Sequence, residues 1–253
     1  AGYRYDTFST YPEASHSPKL GLVWRDANRR WLARLNLSRA FSAPTFSQLF
    51  STGFVRGNPN LVAQTLWLRE GGVEVRPVTA VNIGLSVFRV TLDDPIFPRF
   101  NPAINATQFT NVSPGSKTTG ATVTVDYGVA HWLATGSYTY LDPGSATFHT
   151  WAHTTKAQFG YGAERWSAAM TLRSQRGGYW ADGFARPAED YTVVGARASF
   201  TVLPRLKLVL TSENLTDEAY ATTANIGTVA GVSNNTGIPR PGRFFSIGFQ
   251  AGL

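Results

Sequence analysis

The chain contains no cysteine, which excludes a disulfide framework, a thiolate zinc site and thiol chemistry. It also has no run of about 18 consecutive apolar residues, which excludes a transmembrane helix. No charged segment followed by an apolar stretch opens the chain, so we interpret Ala1 as the start of a mature or trimmed form. Helical periodicity is absent as well. These absences leave an all-β chain as the prediction.

Charge is the next scarce feature. Only 15% of the 253 residues are charged, whereas about 25% is usual in soluble domains. Aromatic residues reach 13%, a combination that fits a surface partly facing lipid. If a membrane is involved, only a closed sheet remains, because open strand edges cannot be satisfied in hydrocarbon.

The net charge of +7 comes mainly from scattered arginines. A nucleic-acid-binding protein would cluster them on one surface, so we expect no nucleic-acid partner. The spread fits a polar lumen and phosphate-rich lipid headgroups instead. The arginines that occur singly along the chain are Arg25, Arg34, Arg69, Arg76, Arg89, Arg173, Arg197 and Arg243.

The dominant pattern is alternation with a period of two, which indicates strands with one apolar face. A soluble sandwich and a membrane barrel share this signal. The barrel is favoured because the other face is rich in Gly, Ser, Thr and Asn, and because the segments run about ten residues. The clearest apolar series are Leu20, Leu22 and Trp24; Trp31, Ala33, Leu35 and Leu37; Val81, Ile83, Leu85 and Val87; Leu206, Leu208 and Leu210; and Phe245, Ile247, Phe249, Ala251 and Leu253.

Aromatic residues and connection lengths support the same prediction. Tryptophan and tyrosine lie near segment ends, as an interfacial belt requires; they are Trp24, Trp31, Trp132, Tyr138, Tyr140, Trp166 and Tyr191. Short turns alternate with long polar loops at residues 8–17, 40–63, 93–107, 142–150, 175–190 and 220–240. We predict an all-β, antiparallel transmembrane β-barrel of about thirteen strands, with short periplasmic turns and long extracellular loops.

Several motifs in the first half of the chain resemble one known family, the TonB-dependent outer-membrane receptors. The stretch from Ser38 to Phe50 is similar to the family's aromatic-Arg-Ala-Pro signature. Gly57-Asn58-Pro59-Asn60-Leu61 follows it, but Val62-Ala63-Gln64 replace the family's usual Lys-Pro-Glu. Asp93-Asp94-Pro95-Ile96 resembles the family's Asp-x-Ile, and Asn111-Val112 resembles its Asn-Val segment.

The end of the chain carries the most specific resemblance. Ser212 to Tyr220 is similar to the family's Val-x-Asn-Leu-Phe-Asp-x-x-Tyr, and Pro239 to Phe245 to its Pro-x-Pro-Gly-Arg-aromatic motif. Asn214 and Asp217 can bond nearby backbone, whereas Pro241-Gly242 can turn the chain out of a loop toward Arg243. Leu253 stands where the family usually ends in an aromatic residue.

The resemblance implies a barrel of about 22 strands preceded by a globular plug. Residues 1–253 would then be its C-terminal portion, with the plug, the energy-coupling segment and roughly the first nine strands absent. An independent small barrel is the alternative.

Catalysis and metal binding are not expected. His149 and His153 would lie about 13 Å apart in a strand, too far to share a metal. Asp93 and Asp94 are consecutive, so in a strand they would face opposite sides and could not act together as a calcium-binding or catalytic pair. His16 and Ser17 are also consecutive, so they would not form the His-Ser pair of a serine hydrolase. We therefore predict no enzymatic activity, no cofactor and no metal site.

The resemblance implies a function in active transport across the bacterial outer membrane, as a multi-pass protein energised through TonB. Its ligand would be a scarce, bulky nutrient of the ferric siderophore, haem or cobalamin type; the Gly-Asn-Pro-Asn segment looks more like the cobalamin type. Implied partners are outer-membrane lipid and lipopolysaccharide, an N-terminal plug and barrel segment in this or another chain, TonB through that missing part, and the metal chelate or cobalamin. The alternative is a plug-less structural or partner-scaffold barrel without transport.

Candidate site residues are predicted from their position in the long loops or, within strands, from the face to which the alternation assigns them. Aromatic and arginine side chains in the long loops offer contact area and pair with anionic chelates; they are Phe46, Phe50, Phe54, Arg56, Phe97, Phe100, Tyr179, Trp180 and Phe184. Arg34, Glu70, Glu74 and Arg76 are predicted lumen charges, in which the glutamates are balanced by arginines or contact the plug.

Overall fold

The computed structural model describes residues 1–8, 14–142, 150–179, 187–229 and 232–251. His149, Trp180, Phe184 and Leu253, which the sequence singled out, lie outside the described residues.

One antiparallel sheet of twelve strands dominates the described part of the chain. In chain order the elements of the molecule are β1 (Gly2–Asp6), β2 (Ser15–Arg25), β3 (Trp31–Ser42), α1 (Phe46–Phe50), β4 (Val55–Arg56), β5 (Gln64–Val78), β6 (Val81–Asp93), β7 (Ile96–Asn101), β8 (Ala106–Asn111), β9 (Ser116–Val129), β10 (Trp132–Asp142), β11 (Thr150–Gly162), β12 (Trp166–Tyr179), β13 (Tyr191–Leu203), β14 (Leu206–Glu213), β15 (Ala221–Val229), β16 (Val232–Pro239) and β17 (Phe244–Ala251).

The strands of the large sheet follow chain order, β1-β2-β3-β5-β6-β9-β10-β11-β12-β13-β14-β17, with β1 and β17 at its two edges. Every pairing within it is antiparallel, as short turns at one end and returning loops at the other require. The predicted antiparallel transmembrane barrel wall is confirmed, with twelve strands against the expected thirteen.

One face of this sheet carries an apolar band. Leu22 and Leu35 are directly opposite each other, and Val73, Leu85 and Val123 line up across three further strands. These five side chains are 41–55% exposed. Because a soluble protein would bury such a contiguous patch, this face contacts lipid.

Aromatic side chains border the apolar band on both sides. At the turn end, Trp132 lies 4.5 Å from Tyr161 and Tyr161 lies 4.8 Å from Trp166, measured between ring centroids. At the loop end, Tyr138 and Tyr140 are 43–44% exposed. The prediction of an interfacial position for Tyr191 is wrong. That ring is 3% exposed, because it packs against Trp151 and Ala188 beneath the loops.

The predicted all-β fold is confirmed, and the one helix among the described residues, the five-residue α1, lies within the predicted loop 40–63. Its start is fixed by a capping box, in which the Gln48 N–H donates to Thr45 Oγ1 at 3.2 Å and the Thr45 N–H donates to Gln48 Oε1 at 2.8 Å. A five-residue helix is too short to produce a periodic signal. No helix among the described residues is long and apolar enough to cross a membrane.

Several predicted loops contain further strands. β7, within the predicted loop 93–107, pairs as a hairpin with β8, which extends past the end of that loop, and β8 also pairs in parallel with β4, which lies in the predicted loop 40–63. β15 and β16 form a hairpin within 220–240, and β12 continues to Tyr179. Strand pairing is made by backbone hydrogen bonds, so it does not itself require alternation of apolar and polar residues.

Candidate functional site

The inward face of the sheet is polar, and three of its predicted charges form one ion-paired group. Arg34 Nη1 lies 2.8 Å from Glu74 Oε1, and Arg34 Nη2 lies 3.5 Å from Glu70 Oε1. These side chains share a face because Arg34 is opposite Gly72, the residue between the two glutamates in the period-two series. Gly72 gives the guanidinium room, since a Cβ there would lie 3.1 Å from Arg34 Nε.

The fourth predicted lumen charge, Arg76, forms no ion pair with this group among the described residues. The pairing between β5 and β6 is irregular between Val75 and Val78, next to the turn. There the Arg76 N–H donates to the Arg30 carbonyl at 2.8 Å. Arg76 lines a cavity of about 240 Å³ with Arg25, Arg29, Arg30 and Glu74.

A larger cavity of about 680 Å³ runs along the inward face from β3 to β12. Its walls carry charges of both signs, so the surface suits polar solutes with mixed charge. Asn82 Nδ2 donates to Asp126 Oδ2 on the neighbouring strand at 3.4 Å, whereas Asn82 Oδ1 is buried with no hydrogen-bond partner among the described residues. The charged side chains of the wall are Arg34, Glu74, Asp126, Lys156 and Arg173.

Toward the loop end, Gln175 is hydrogen-bonded to three other polar side chains, an arrangement that the sequence did not predict. Arg173 Nη2 donates to Gln175 Oε1 at 3.1 Å, and the Tyr191 hydroxyl donates to the same oxygen. Gln175 Nε2 in turn donates to Thr154 Oγ1 at 3.5 Å. Gln175 was predicted to begin a loop, and only the continuation of β12 beyond it places it on the wall.

The two loops at residues 43–63 and 94–115 pack together into one unit, called the loop platform below. Leu49, Leu61 and Ile96 are 3–8% exposed and form its small core, with Phe109 packed against it. α1 approaches the following chain so closely that a Cβ on Gly57 would lie 2.6 Å from the Leu49 carbonyl. Glycine is therefore required at this family motif.

Amide side chains fasten the two loops to each other. Asn58 Nδ2 donates to the Phe109 carbonyl at 3.1 Å, and Gln108 Nε2 donates to the Gly57 carbonyl at 3.0 Å. Asn111 accepts from the Val62 N–H at 2.9 Å, and its Nδ2 donates to the Val62 carbonyl at 2.9 Å. The Gly-Asn-Pro and Asn-Val motifs of the sequence therefore hold the platform together.

The platform displays most of the predicted ligand-facing residues on its surface. Phe46, Phe54 and Phe100 are 72%, 93% and 64% exposed. Phe50 is 49% exposed, and its ring centroid lies 5.0 Å from that of Phe46. Arg56 is exposed and donates from Nη1 to the Thr52 carbonyl at 2.8 Å, which directs its guanidinium along this surface.

Two predicted loop residues differ from this group. Phe97 is half-buried in the platform on β7, so its ring is less available than those of the exposed phenylalanines. Tyr179 ends β12 on a different loop, where it forms an isolated bridge with Pro187.

The C-terminal family motif forms a clamp between the end of β14 and the start of β17. Asn214, 1% exposed, accepts from the Glu218 N–H at 2.8 Å, and its Nδ2 donates to the Glu218 carbonyl at 2.8 Å and the Pro241 carbonyl at 3.4 Å. Asp217 Oδ1 accepts from the Arg243 N–H at 2.7 Å. A Cβ on Gly242 would lie 2.7 Å from that same oxygen, so glycine is needed there.

Histidine and acidic side chains do not gather into a metal site in the described ranges. No three of them come together in a way that could hold a metal ion there. His153 instead contacts a tyrosine, with the Tyr138 hydroxyl 2.7 Å from its Nδ1.

Residues 1–215 match the family model described as "TonB dependent receptor-like, beta-barrel". Similar solved structures include a mutant of the ferric enterobactin receptor PfeA from Pseudomonas aeruginosa, with a TM-score of 0.76, 20% identity and 98% of this chain covered. For the siderophore receptor PirA from Acinetobacter baumannii the TM-score is 0.77, at 16% identity and with 98% of this chain covered. For the copper transporter OprC the TM-score is 0.74, at 17% identity and with 94% of this chain covered. No curated protein matches the chain.

The chain spans only 40–42% of the length of these solved proteins, so the likeness concerns one part of a barrel. At 16–20% identity it shows the fold. The family model is matched over most of the chain, and the outward apolar band is what an outer-membrane barrel wall requires. The chain therefore belongs to the TonB-dependent receptors, whose barrels lie in the bacterial outer membrane.

Proposed function

We propose that the whole protein is an outer-membrane transporter for a bulky metal chelate or cobalamin-like nutrient, energised through TonB. This chain would supply wall and ligand-facing loops as the C-terminal portion of a plugged barrel. The observation that carries the proposal is an internally hydrogen-bonded platform with exposed aromatic rings and an arginine, at the loop end of a charged inner wall.

The platform suits ligand capture because contacts within it hold the two loops together. Its core of Leu49, Leu61 and Ile96 and the amide bonds of Asn58 and Asn111 hold the two loops in one arrangement. A preorganised surface loses less conformational entropy on binding than mobile loops would. Exposed phenylalanine rings on such a surface have a large contact area to offer a bulky ligand.

Charge supports a chelate with acidic groups as the ligand. Arg56 lies beside the exposed rings of the platform, and a guanidinium can bind a carboxylate or an anionic oxygen pair in a bidentate manner. The inner wall continues with Arg34, Lys156 and Arg173 among its carboxylates. The solved relatives carry names that include ferric enterobactin, siderophore and copper, which is consistent with a metal-bearing ligand.

The test is equilibrium binding of a ferric catecholate siderophore, a ferric hydroxamate siderophore, haem and cobalamin to the whole purified protein. We expect one of the four to bind. The double variant Phe54→Ala/Arg56→Ala should weaken that binding by about tenfold or more, as buried aromatic and arginine contacts do.

Met170→Ala is the matched control, because Met170 is 55% exposed on the outward face, and it should leave binding unchanged. Uptake by cells should also stop when TonB is deleted. If none of the four probes binds, or if uptake persists without TonB, the proposal is wrong and the scaffold barrel becomes the better explanation.

A further inference from the structure

A cavity of about 240 Å³ at the turn end of the inner wall gathers four arginines. It lies between the turn that joins β2 to β3 and the end of β5. Arg25, Arg29, Arg30 and Arg76 line it, and it is called the arginine cavity below. The short turns of this wall are periplasmic, so the cavity lies on the periplasmic side of the membrane.

Backbone contacts bring the four arginines together from two segments far apart in the chain. The Arg76 N–H donates to the Arg30 carbonyl at 2.8 Å, which continues the pairing of β5 with β3 up to the turn. Within the turn, the Trp31 N–H donates to Asp26 Oδ1 at 2.7 Å, and the Asp26 N–H donates to the Trp31 carbonyl at 3.1 Å. The strand ladder and the turn therefore hold the arginines side by side.

Positive charge in the wall of the arginine cavity exceeds negative charge. Glu74 is the carboxylate among the lining residues, and its Oε1 already lies 2.8 Å from Arg34 Nη1. Four guanidinium groups against one carboxylate leave an excess of three positive charges. Among the described residues, no ion pair or side-chain hydrogen bond involves any of the four arginines.

The four arginines repel one another across this space. A sphere of the same volume is about 8 Å across, which is no more than the screening length at physiological salt. A bound anion would remove this repulsion, whereas water and mobile counterions reduce it only in part.

Arg29 occupies its position at a cost to the backbone. Its φ is +56°, in the left-handed region that glycine and asparagine adopt more readily than arginine. A glycine would be less strained there, and its N–H could still donate to the Asp26 carbonyl, as that of Arg29 does at 3.1 Å. What arginine adds at this position is a fourth guanidinium group in the cavity.

The number of guanidinium groups and the volume together define the class of ligand. A guanidinium binds carboxylate or phosphate through two parallel N–H···O hydrogen bonds. A single group has too few oxygens for four guanidinium groups, and two linked phosphates have more oxygens and more negative charge than two linked carboxylates. The cavity has the volume of about eight water molecules, which is room for such a small anion.

We propose that the arginine cavity is a binding site for a small free anion that contains two linked phosphate groups, as pyrophosphate does. The anion bridges the β2–β3 turn to the end of β5 and neutralises the four guanidinium groups. The site is independent of the transported ligand, so it would remain if no metal chelate or cobalamin bound to the loops.

The experiment is titration calorimetry of the whole protein in phosphatidylcholine nanodiscs, in metal-free buffer of constant ionic strength. The probes are pyrophosphate, orthophosphate and succinate. Wild type should bind pyrophosphate at least about tenfold more tightly than either of the others, because pyrophosphate engages more of the guanidinium groups.

Two double variants test the arginines directly. R25Q/R76Q should bind pyrophosphate no more tightly than orthophosphate. R25K/R76K should keep part of the preference, because the charge remains without the planar fork.

Arg29→Gly is the variant least liable to disturb folding, since glycine relieves the strained φ. It should weaken pyrophosphate binding about tenfold while the midpoint of urea unfolding, measured without the anion, stays the same or rises. Heat-dependent gel mobility verifies that each variant is folded.

R165Q/R205Q is the matched control, because both arginines are exposed in other turns at the same end of the wall. It should bind pyrophosphate like the wild type. Equal binding of the three probes by wild type, unchanged binding in R25Q/R76Q, or an equal loss in R165Q/R205Q would each overturn the proposal. So would an absence of pyrophosphate binding, which is the outcome expected if acidic side chains of the plug fill the cavity in the whole protein.

Discussion

At the scale of single residues, the positions that matter most are those with no substitute for their side chain. Asn214 has φ +51° and is buried, with three hydrogen bonds to backbone groups on either side of a loop. Asparagine tolerates this left-handed conformation better than other residues with a Cβ. Asn214 therefore has two roles: it adopts the left-handed backbone conformation, and its side chain satisfies three backbone groups.

Replacing Asn214 should separate these two roles. Asn214→Gly keeps the backbone conformation but removes the side chain that hydrogen-bonds to the Glu218 N–H and to the Glu218 and Pro241 carbonyls. It should therefore lower the free energy of unfolding by about 1–3 kcal/mol. Asn214→Ala adds backbone strain and should cost more. The measurement is urea unfolding of the whole protein in lipid vesicles.

Asn105 supplies the control for this pair, because it has φ +45° but is exposed in the β7–β8 turn. Asn105→Gly should be close to neutral. Equal effects of the glycine substitution at both positions would show that the hydrogen bonds of Asn214 contribute nothing.

The residues of this clamp were predictable from sequence, but their partners were not. The motif Asn-Leu-x-Asp indicates a local turn, and Asp217 is indeed found bonded to backbone. The partner is Arg243, separated from it by the entire β15–β16 hairpin. A single sequence carries no signal for which distant backbone group a buried amide will meet.

At the scale of elements, the wall and the loops differ in how far sequence determines them. Apolar and polar residues alternate strictly in β2, β3 and β6 because one side of each strand faces lipid. The sequence therefore predicted both these strands and the side that each residue faces. α1 and β7 have no such periodic environment, and the sequence predicted loop for both. Their order comes from a few buried contacts and amide bonds between segments far apart in the chain.

The close contact between Gly57 and α1 makes one glycine decisive for the platform. Gly57→Ala places a Cβ 2.6 Å from the Leu49 backbone, so α1 must move and its buried contacts with Leu61 and Ile96 must loosen. We expect faster proteolysis within residues 43–63 of the whole protein, with unchanged unfolding of the barrel wall.

Gly71→Ala is the comparison variant, since an added Cβ there meets nothing within 4 Å. It should digest like the wild type. If Gly57→Ala were digested no faster, the packing of α1 against this segment would not be what orders the platform.

At the scale of the whole molecule, the two faces of the sheet meet different solvents. Leu85 is 50% exposed on the lipid side, and its chain neighbour Ser86 is on the wall of the lumen. This division was predictable from alternation alone. The sequence did not predict which outward residues become neighbours. Arg69 and Arg89, for example, are opposite each other only because of the register between β5 and β6.

One substitution at each of these neighbouring positions measures the division directly. Leu85→Arg should lower the free energy of unfolding in vesicles by about 2–4 kcal/mol, because it puts a charge within the hydrocarbon. Ser86→Arg should cost much less, since its charge reaches water in the lumen. Similar losses for both variants would contradict the assignment of the faces.

The clamp at the base of the β15–β16 hairpin separates what is variable from what is fixed. The hairpin pairs with itself, and Asn214, Asp217 and Gly242 close the chain beneath it before β17 joins β14. Segments closed at their base can gain or lose residues at little entropic cost to the structure below. The length and sequence of this hairpin can therefore change in evolution without any change in the strand register of the barrel wall.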